Sequence, residues 1–239
     1  MPTRSTRKQT LKSSAETARM AAIVARMKEI YPDAVCALEW GGQYGGEREA
    51  LLRESWKLLV MGRLSAQCTD ARVNIVCRDL FARFPTVESL ADGELTEIEA
   101  IVRPCGLYRT KAQNIKEACR ILADEYDGIV PDDMEALLAL PGVGRKIANL
   151  LLGDIYKRPG VVTDTHCIRI CGRLGFYDEE LSDPLKVERI LTPLIAPEEQ
   201  SDFCHRIVQF GRDTCTARSP ACEGCPLRDL CRYGGAGKE

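Results

Sequence analysis

Four cysteines lie close together near the C-terminal end of the sequence. They are Cys215, Cys222, Cys225 and Cys231, and the intervals between them hold six, two and five residues. Four thiolates in one short loop can surround a single metal centre, and both zinc and a cubane iron–sulfur cluster accept such a ligand set. Structural zinc sites usually contain two close cysteine pairs, whereas this segment contains one, so the spacing favours the cluster. Arg218, inside the six-residue interval, is then expected to face a phosphate.

A second candidate site lies in the segment LPGVGRKIAN (140–149). Pro141 is expected to end one helix, and Gly142 and Gly144 permit a tight turn before the next. Such a helix–hairpin–helix turn presents backbone N–H groups at a helix N-terminus, which can bind phosphate without reading base sequence. The alternative is a plain turn between two helices with no ligand.

Lys146 follows this turn directly, in the first turn of the next helix. The positive end of the helix dipole disfavours its protonated form, and the neutral amine is the nucleophilic one. Asp164 lies 18 residues further on (164 − 146) and is a predicted N-cap. If the fold brings the two together, its carboxylate can stabilise positive charge on a sugar. A solvated lysine and a purely structural cap are the alternative interpretations.

The elements that must position these residues are helices. Apolar residues recur at helical spacing along almost the whole chain, which predicts an all-α protein of about ten helices joined by short loops. Thr86 is a predicted N-cap, and Thr96 with Glu99 has the spacing of a capping box. The expected helices span 14–33, 48–70, 71–85, 86–93, 94–106, 107–128, 131–140, 145–156, 164–176, 183–196 and 198–213, with a glycine-rich loop at 39–46.

Length and composition exclude several classes of protein. The 239 residues allow one large domain or two small ones. The formal net charge of −2 gives no sign of nucleic-acid binding, so any such function must rest on local surface. No apolar run approaches the roughly 20 residues of a membrane-spanning helix. We therefore expect a cytoplasmic protein without membrane contact.

The remaining cysteines and the N-terminal segment complete this picture. The sequence holds twelve cysteines but no visible export signal, so a disulfide framework is not expected. The first 14 residues carry four basic residues and no acidic one, which is typical of a disordered tail or of an arm that touches phosphates.

Together these features resemble the endonuclease III family of DNA glycosylases. The resemblance covers about residues 48–232 and rests on five segments together. These are LSAQCTD (64–70), GLYRTKAQNI (106–115), LPGVGRKIAN (140–149), VTDTH (162–166) and the cysteine segment.

The resemblance implies two all-α halves with DNA in the groove between them. A six-helix barrel is expected over 48–158, with the helix–hairpin–helix motif at 131–156. A helical iron–sulfur half is expected over 159–239, and an N-terminal arm and helix, 1–47, packs on it. The four cysteines match the family's [4Fe-4S] ligands.

The family's functional residues carry over position by position. Lys146 matches the catalytic lysine and Asp164 the catalytic aspartate. Gln67 and Leu107 match residues that enter the duplex where the damaged base leaves. Further DNA contacts are expected at Leu140, Gly142, Val143, Gly144, Arg145 and Arg218.

The implied function is that of a bifunctional DNA glycosylase and AP lyase of base excision repair. It is expected to remove oxidised or ring-saturated pyrimidines through a lysine Schiff base and to nick the strand by β-elimination. The expected partner is double-stranded DNA with damaged bases or abasic sites, bound by a monomer associated with the nucleoid.

Two alternatives stay open. The adenine-excising branch of the superfamily lacks the lysine and carries a glutamate in the helix before the LSAQCTD position, whereas residues 58–66 contain no carboxylate. A non-catalytic helix–hairpin–helix protein would use the cluster only as a scaffold. Two departures bear on specificity. Arg63 stands where the family usually has an apolar residue and is expected to reach the DNA or the lesion pocket, and Ile147 replaces a small polar residue.

Overall fold

The computed structural model describes residues 14–42 and 45–235, and throughout this part the regular secondary structure is helical. The all-α prediction is therefore confirmed. The predicted basic arm lies outside the described residues except for its last residue, and so do residues 43 and 44 of the predicted loop. Within the described part, no helix is both long and apolar enough to cross a membrane.

Eleven α-helices form this part of the chain. They are α1 Ser14–Ile30, α2 Arg48–Leu64, α3 Asp70–Arg83, α4 Val87–Asp92, α5 Leu95–Val102, α6 Tyr108–Glu125, α7 Met134–Ala139, α8 Arg145–Tyr156, α9 Thr165–Leu174, α10 Pro184–Leu191 and α11 Gln200–Asp213. Short 3-10 turns follow α5 and lie between α10 and α11.

The helices pack in two groups. Helix α6 packs against α2, α4 and α5, while α8 packs against α2 and α7. The N-terminal helix α1 instead packs against α11, which also contacts α9. Helix α8 touches α11 and so joins the groups. The boundaries at residues 47 and 158 stay a prediction.

One predicted helix start is correct and another is wrong. Thr86 caps α4 and exchanges hydrogen bonds with Ser89 in a complete capping box. The capping box predicted at Thr96 does not form, because α5 already begins at Leu95 with no side-chain cap. Starting there places Leu95 on the same face as Ile98, which is fully buried, so apolar packing decides the start.

Helix α2 ends at Leu64, six residues before its predicted end at 70. The carbonyl of Leu64, the last residue of the helix, accepts a hydrogen bond from a side chain of another helix. Gln67 adopts a left-handed conformation with φ 55°, which no α-helix tolerates. Thr69 then caps α3 by accepting a bond from Arg72. Residues 65–69 are therefore a loop between two helices.

The partner that ends α2 is Lys111, a lysine on the inner face of α6 whose side chain is fully buried. Its Nζ donates to the carbonyl oxygens of Leu64 at 2.9 Å, Ala66 at 2.7 Å and Cys105 at 2.7 Å. An ammonium carries three donors, and all three are used here. Burial lowers the pKa of Lys111. One side chain thus ties the loop after α2 to the turn before α6.

We expect Lys111→Met to lower the free energy of unfolding by about 2–4 kcal/mol, because three buried carbonyls lose their donor while the cost of a buried charge is removed. Urea unfolding measures the difference. The control is Lys28→Met, which removes an ammonium that pairs with Glu199 at the surface. That change should cost less than about 1 kcal/mol. Equal losses in the two variants would contradict the assigned role of Lys111.

Candidate functional site

A cavity between the two helix groups holds both predicted catalytic residues. Lys146, from the first turn of α8, and Asp164, at the start of α9, line its wall. Gly62 and Ser65, at the end of α2, line it on the same side as Lys146, while Asp164 comes from the other helix group. The structure therefore brings together an amine and a carboxylate that are 18 residues apart in the sequence (164 − 146).

Lys146 is exposed at the N-terminus of α8. The N-cap of this helix is Gly144, which offers no side chain to its backbone N–H groups. The first helical bond joins the Ala148 N–H to the Gly144 carbonyl. The N–H groups of the first turn thus have no helical acceptor and are available to an anion.

Asp164 is the N-cap of α9, as predicted. Its Oδ1 accepts a hydrogen bond of 2.7 Å from the Cys167 N–H. This bond fixes the orientation of the carboxylate at the edge of the cavity. The cap is therefore compatible with a second role for the same side chain in the cavity.

The turn between α7 and α8 has the geometry expected of a hairpin. Gly142 adopts φ 76°, and the Val143 N–H bonds to the Leu140 carbonyl at 3.1 Å. The side chains of Leu140 and Val143 are buried, at 3% and 6% exposure. Because these side chains are buried, the predicted DNA contacts of the two residues can be made only by their backbone atoms.

Arg145 forms an ion pair with Glu188. Its Nε lies 2.9 Å from Oε1 and 2.8 Å from Oε2 of Glu188, a residue of α10. Hydrogen bonding to Glu188 raises the pKa of this guanidinium. The ion pair links α8 to α10, and the DNA contact of Arg145 stays a prediction.

The Arg63 side chain is not part of the lining of the cavity that holds Lys146, and its contact with the DNA or the lesion pocket stays a prediction. The Arg63 side chain lies under the hairpin, where Nε and Nη2 donate to Asn114 Oδ1 at 3.0 and 2.9 Å. Burial lowers the pKa of this guanidinium. A Cβ at Gly142 would lie 2.5 Å from Arg63 Nε. Arg63 therefore supports the hairpin, and glycine is required above it.

Ile147 now has a structural explanation. A Cβ placed on Gly62 would lie 3.3 Å from Ile147 Cγ2. Because Gly62 has no side chain, the larger isoleucine fits against α2 at the cavity wall. The two residues act as a matched pair of one large and one small side chain.

Gln67 and Leu107 share an unusual backbone and an exposed position. Their φ angles are 55° and 47°, and the Leu107 side chain is 62% exposed. Left-handed backbone at a non-glycine residue costs about 1–3 kcal/mol and persists only where the surroundings impose it. Lys111 supplies that constraint by binding the carbonyls of Ala66 and Cys105. Gln67 and Leu107 therefore form two exposed tips whose backbone is held in the left-handed conformation.

The four cysteines of the C-terminal segment surround one small cavity together with Arg173. All four thiols are free and partly buried. Arg173 Nη1 lies 3.6 Å from Cys215 Sγ, and its guanidinium also donates to the carbonyls of Thr216 and Ala217. Convergence of four thiols beside a cation suits a set of four thiolate ligands. Arg218 is exposed in the same loop.

Sequence reasoning assigned no role to Lys111, Asn114 or Arg173. A signal for Lys111 was present, because it is followed at helical spacing by Ile115 and Ala118 and so falls on the apolar face of α6. A lysine there has to find oxygen acceptors or a counter-charge. The partners themselves are distant in sequence and leave no local pattern.

Comparison with known proteins decides the family. Residues 60–197 match the family described as "HhH-GPD superfamily base excision DNA repair protein", and residues 215–231 match the "iron-sulfur binding domain of endonuclease III". The chain is 40% identical to the endonuclease III of Synechocystis sp. over 92% of its own length and 94% of the relative's. The chain belongs to the endonuclease III family.

Other endonuclease III proteins agree. The Bacillus subtilis protein is 40% identical over 79% of this chain and 85% of its own length. A solved non-covalent endonuclease III–DNA complex superposes with a TM-score of 0.81, and a trapped endonuclease III–DNA covalent intermediate with 0.80. Each is 40% identical and covers 91% of this chain and 96% of its own.

These matches confirm several predictions for this endonuclease III. They confirm the helix–hairpin–helix fold of two helical halves and the iron–sulfur cluster. The protein is a DNA glycosylase with AP lyase activity, an enzyme of base excision repair. The four cysteines of this segment would hold the cluster as thiolate ligands. Arg173, at the end of α9, holds the same segment by its hydrogen bonds.

We expect Gly142→Ala to weaken both stability and DNA binding. The new Cβ would lie 2.5 Å from Arg63 Nε, and φ 76° is strained for alanine, so the cost should be about 1–3 kcal/mol. Gly144→Ala is the matched control for stability alone, since its φ is −98° and no heavy atom lies within 4 Å of the added carbon. Thermal unfolding and fluorescence anisotropy with duplex DNA measure the two effects. Equal stability of the two variants would disprove the close packing under the hairpin.

Proposed function

We propose that this protein uses Lys146 as its nucleophile and Asp164 as the carboxylate that stabilises the sugar. The observation that carries the proposal is their position on one cavity, beside a helix N-terminus with available N–H groups. An amine nucleophile for covalent catalysis needs an open approach, and Lys146 is exposed at the cavity. The proposed partner is double-stranded DNA, as in the two solved complexes of endonuclease III.

A damaged nucleotide first has to leave the base stack, because a base inside a duplex cannot reach the cavity. Flipping costs a few kcal/mol of stacking and pairing. Leu107 and Gln67 are the proposed wedges that fill the gap, since both are exposed at rigid tips. The hairpin holds a phosphate of the same strand through backbone N–H groups, which is independent of sequence.

The proposed reaction proceeds through a covalent intermediate between Lys146 and the sugar. The neutral Lys146 amine attacks C1′, the glycosidic bond breaks, and the base leaves with its bonding electron pair and gains a proton. Asp164 stabilises positive charge on the sugar during this step. The amine loses a proton and the ring opens to a Schiff base. Loss of a proton from C2′ then expels the 3′-phosphate, and water hydrolyses the Schiff base to free the lysine.

The proposed substrates are oxidised or ring-saturated pyrimidines, and the proposed working form is a monomer. The resemblance of the five sequence segments supports this lesion class. The cavity wall beside Lys146 departs from the family at Ile147, which packs towards Gly62. This pair is therefore the place where lesion preference within the class would differ from that of relatives.

Borohydride trapping tests the nucleophile. Wild-type protein incubated with duplex DNA carrying thymine glycol should form a covalent complex, and Lys146→Ala should form none, because reduction fixes only a Schiff base. Lys186→Ala, which removes an exposed lysine of α10, should trap as the wild type does. Trapping on an abasic site but not on thymine glycol would remove the lesion assignment. No trapping on either substrate would favour a monofunctional enzyme or a binding protein.

Leu107→Ala tests the wedge. We expect the rate of base removal to fall roughly tenfold or more, since each 1.4 kcal/mol of lost support for the flipped state is a factor of ten. Cleavage at a preformed abasic site should fall less, because no base has to be extruded. Leu185→Ala is the control, as Leu185 is another exposed leucine, at 49%. Single-turnover rates on the two substrates separate the effects, and an equal fall on both would argue against a wedge.

A further inference from the structure

Three side chains that can bind a metal meet at the cavity, away from the four-cysteine segment. Cys36 comes from the segment after α1, Asp154 from α8 and His205 from α11. One donor atom of each lies within 4.8 Å of the other two. Cys36 is 6% exposed and His205 is 9% exposed, while the Asp154 side chain is 10% exposed. Three separate segments thus bring sulfur, oxygen and nitrogen donors to one buried point.

The hydrogen bonds of this cluster leave one atom unsatisfied. His205 Nε2 lies 2.7 Å from Asp154 Oδ1. Asp154 Oδ2 is buried and has no hydrogen-bond donor among the described residues. A buried polar atom without a partner costs about 1–3 kcal/mol, and more if the group is charged. Buried charges are usually paired or coordinate a metal.

We propose that Cys36, Asp154 and His205 bind a zinc ion. Thiolate, imidazole and carboxylate are the three protein ligand types that zinc accepts. The sulfur donor excludes magnesium and calcium, which prefer oxygen ligands alone. As the ion binds, the proton between Nε2 and the carboxylate and the proton of the Cys36 thiol are both released to solvent. The ion also gives the Asp154 carboxylate the positive partner that its buried oxygen lacks.

The fourth position of the zinc ion belongs to water. Three protein ligands leave one position of a tetrahedral site open. Cys36 and His205 both line the cavity that holds Lys146 and Asp164, so solvent reaches the site from there. Water can therefore fill the fourth coordination position, and no fourth protein ligand is required.

The site would join both helix groups. Asp154 lies on the same helix as Lys146, eight residues further along (154 − 146), which is about 12 Å of helix. His205 belongs to α11, which packs with α1 and α9, and the residues directly after Cys36 are hydrogen-bonded to Asn74 of α3. Zinc at this point would cross-link α8 to α11 and to the chain after α1, and so hold the cavity together from one side.

The competing explanation needs no metal. The Cys36 thiol keeps its proton and faces the Asp154 carboxylate, and burial together with that negative charge raises the pKa of the thiol. A thiol is a weak donor. This arrangement and the zinc site differ in one measurable property, which is the metal content of the protein.

The test uses the full chain with its iron–sulfur cluster loaded, so that the four cluster cysteines are not open to zinc. Titration calorimetry with zinc chloride, followed by elemental analysis after gel filtration, should show one zinc per chain beside the cluster iron. Cys36→Ser and Asp154→Asn should weaken zinc binding by more than the roughly 10–100-fold that loss of a supporting hydrogen bond costs. Asp154→Asn preserves the shape of the side chain and remains informative if Cys36→Ser fails to fold.

Cys204→Ser is the matched control. Cys204 is a buried cysteine that lines the same cavity but does not belong to the proposed zinc site of Cys36, Asp154 and His205. This variant should bind zinc as the wild type does. Absence of zinc uptake by the wild type, or equal uptake by the wild type and Asp154→Asn, would overturn the proposal in favour of the protonated thiol.

Discussion

The buried ammonium of Lys111 is the contact on which the loop after α2 and the turn before α6 depend. Taking a charge out of water is costly unless its donors are all used. Here the three donors bind three carbonyls from two separate segments, and the bonds set where α2 stops and where α6 begins. The left-handed backbone at Gln67 and Leu107 follows from the same contact. The proposed insertion of both tips into a duplex would cost little conformational entropy, because Lys111 already constrains the backbone beside them.

Helix α6 organises the hairpin as well as the tips. Asn114 lies three residues after Lys111, and residues at this spacing share a helix face. Its side chain accepts from Arg63, and the guanidinium in turn packs beneath Gly142. The proposed wedge and the proposed phosphate-binding turn are therefore both held by residues of one helix, α6. Their separation is fixed before DNA arrives, as a duplex of constant geometry requires.

Much of this arrangement was predictable from local sequence. The helices, the glycine hairpin, the Asp164 cap and the cysteine segment each have a pattern within a few residues, and the structure or the family comparison confirms them. The errors concern the capping box at Thr96 and the end of α2, and the ion and hydrogen-bond partners that local patterns left unassigned are distant in sequence. Arg145 pairs with Glu188, 43 residues away, and Arg63 with Asn114, 51 residues away. A charge on a helix predicts that a partner exists but not which segment provides it.

The left-handed backbone at Gln67 and Leu107 also limits how this surface can evolve. A β-branched side chain is strongly disfavoured at positive φ, so valine, isoleucine and threonine are poor replacements at either tip. Glycine and asparagine adopt this backbone readily, but neither offers the apolar bulk of leucine. Changes that preserve both backbone and volume are therefore confined to unbranched side chains such as methionine or glutamine. Residues of the cavity wall can therefore be replaced with fewer restrictions than Gln67 and Leu107, and we expect changes in substrate preference to arise there.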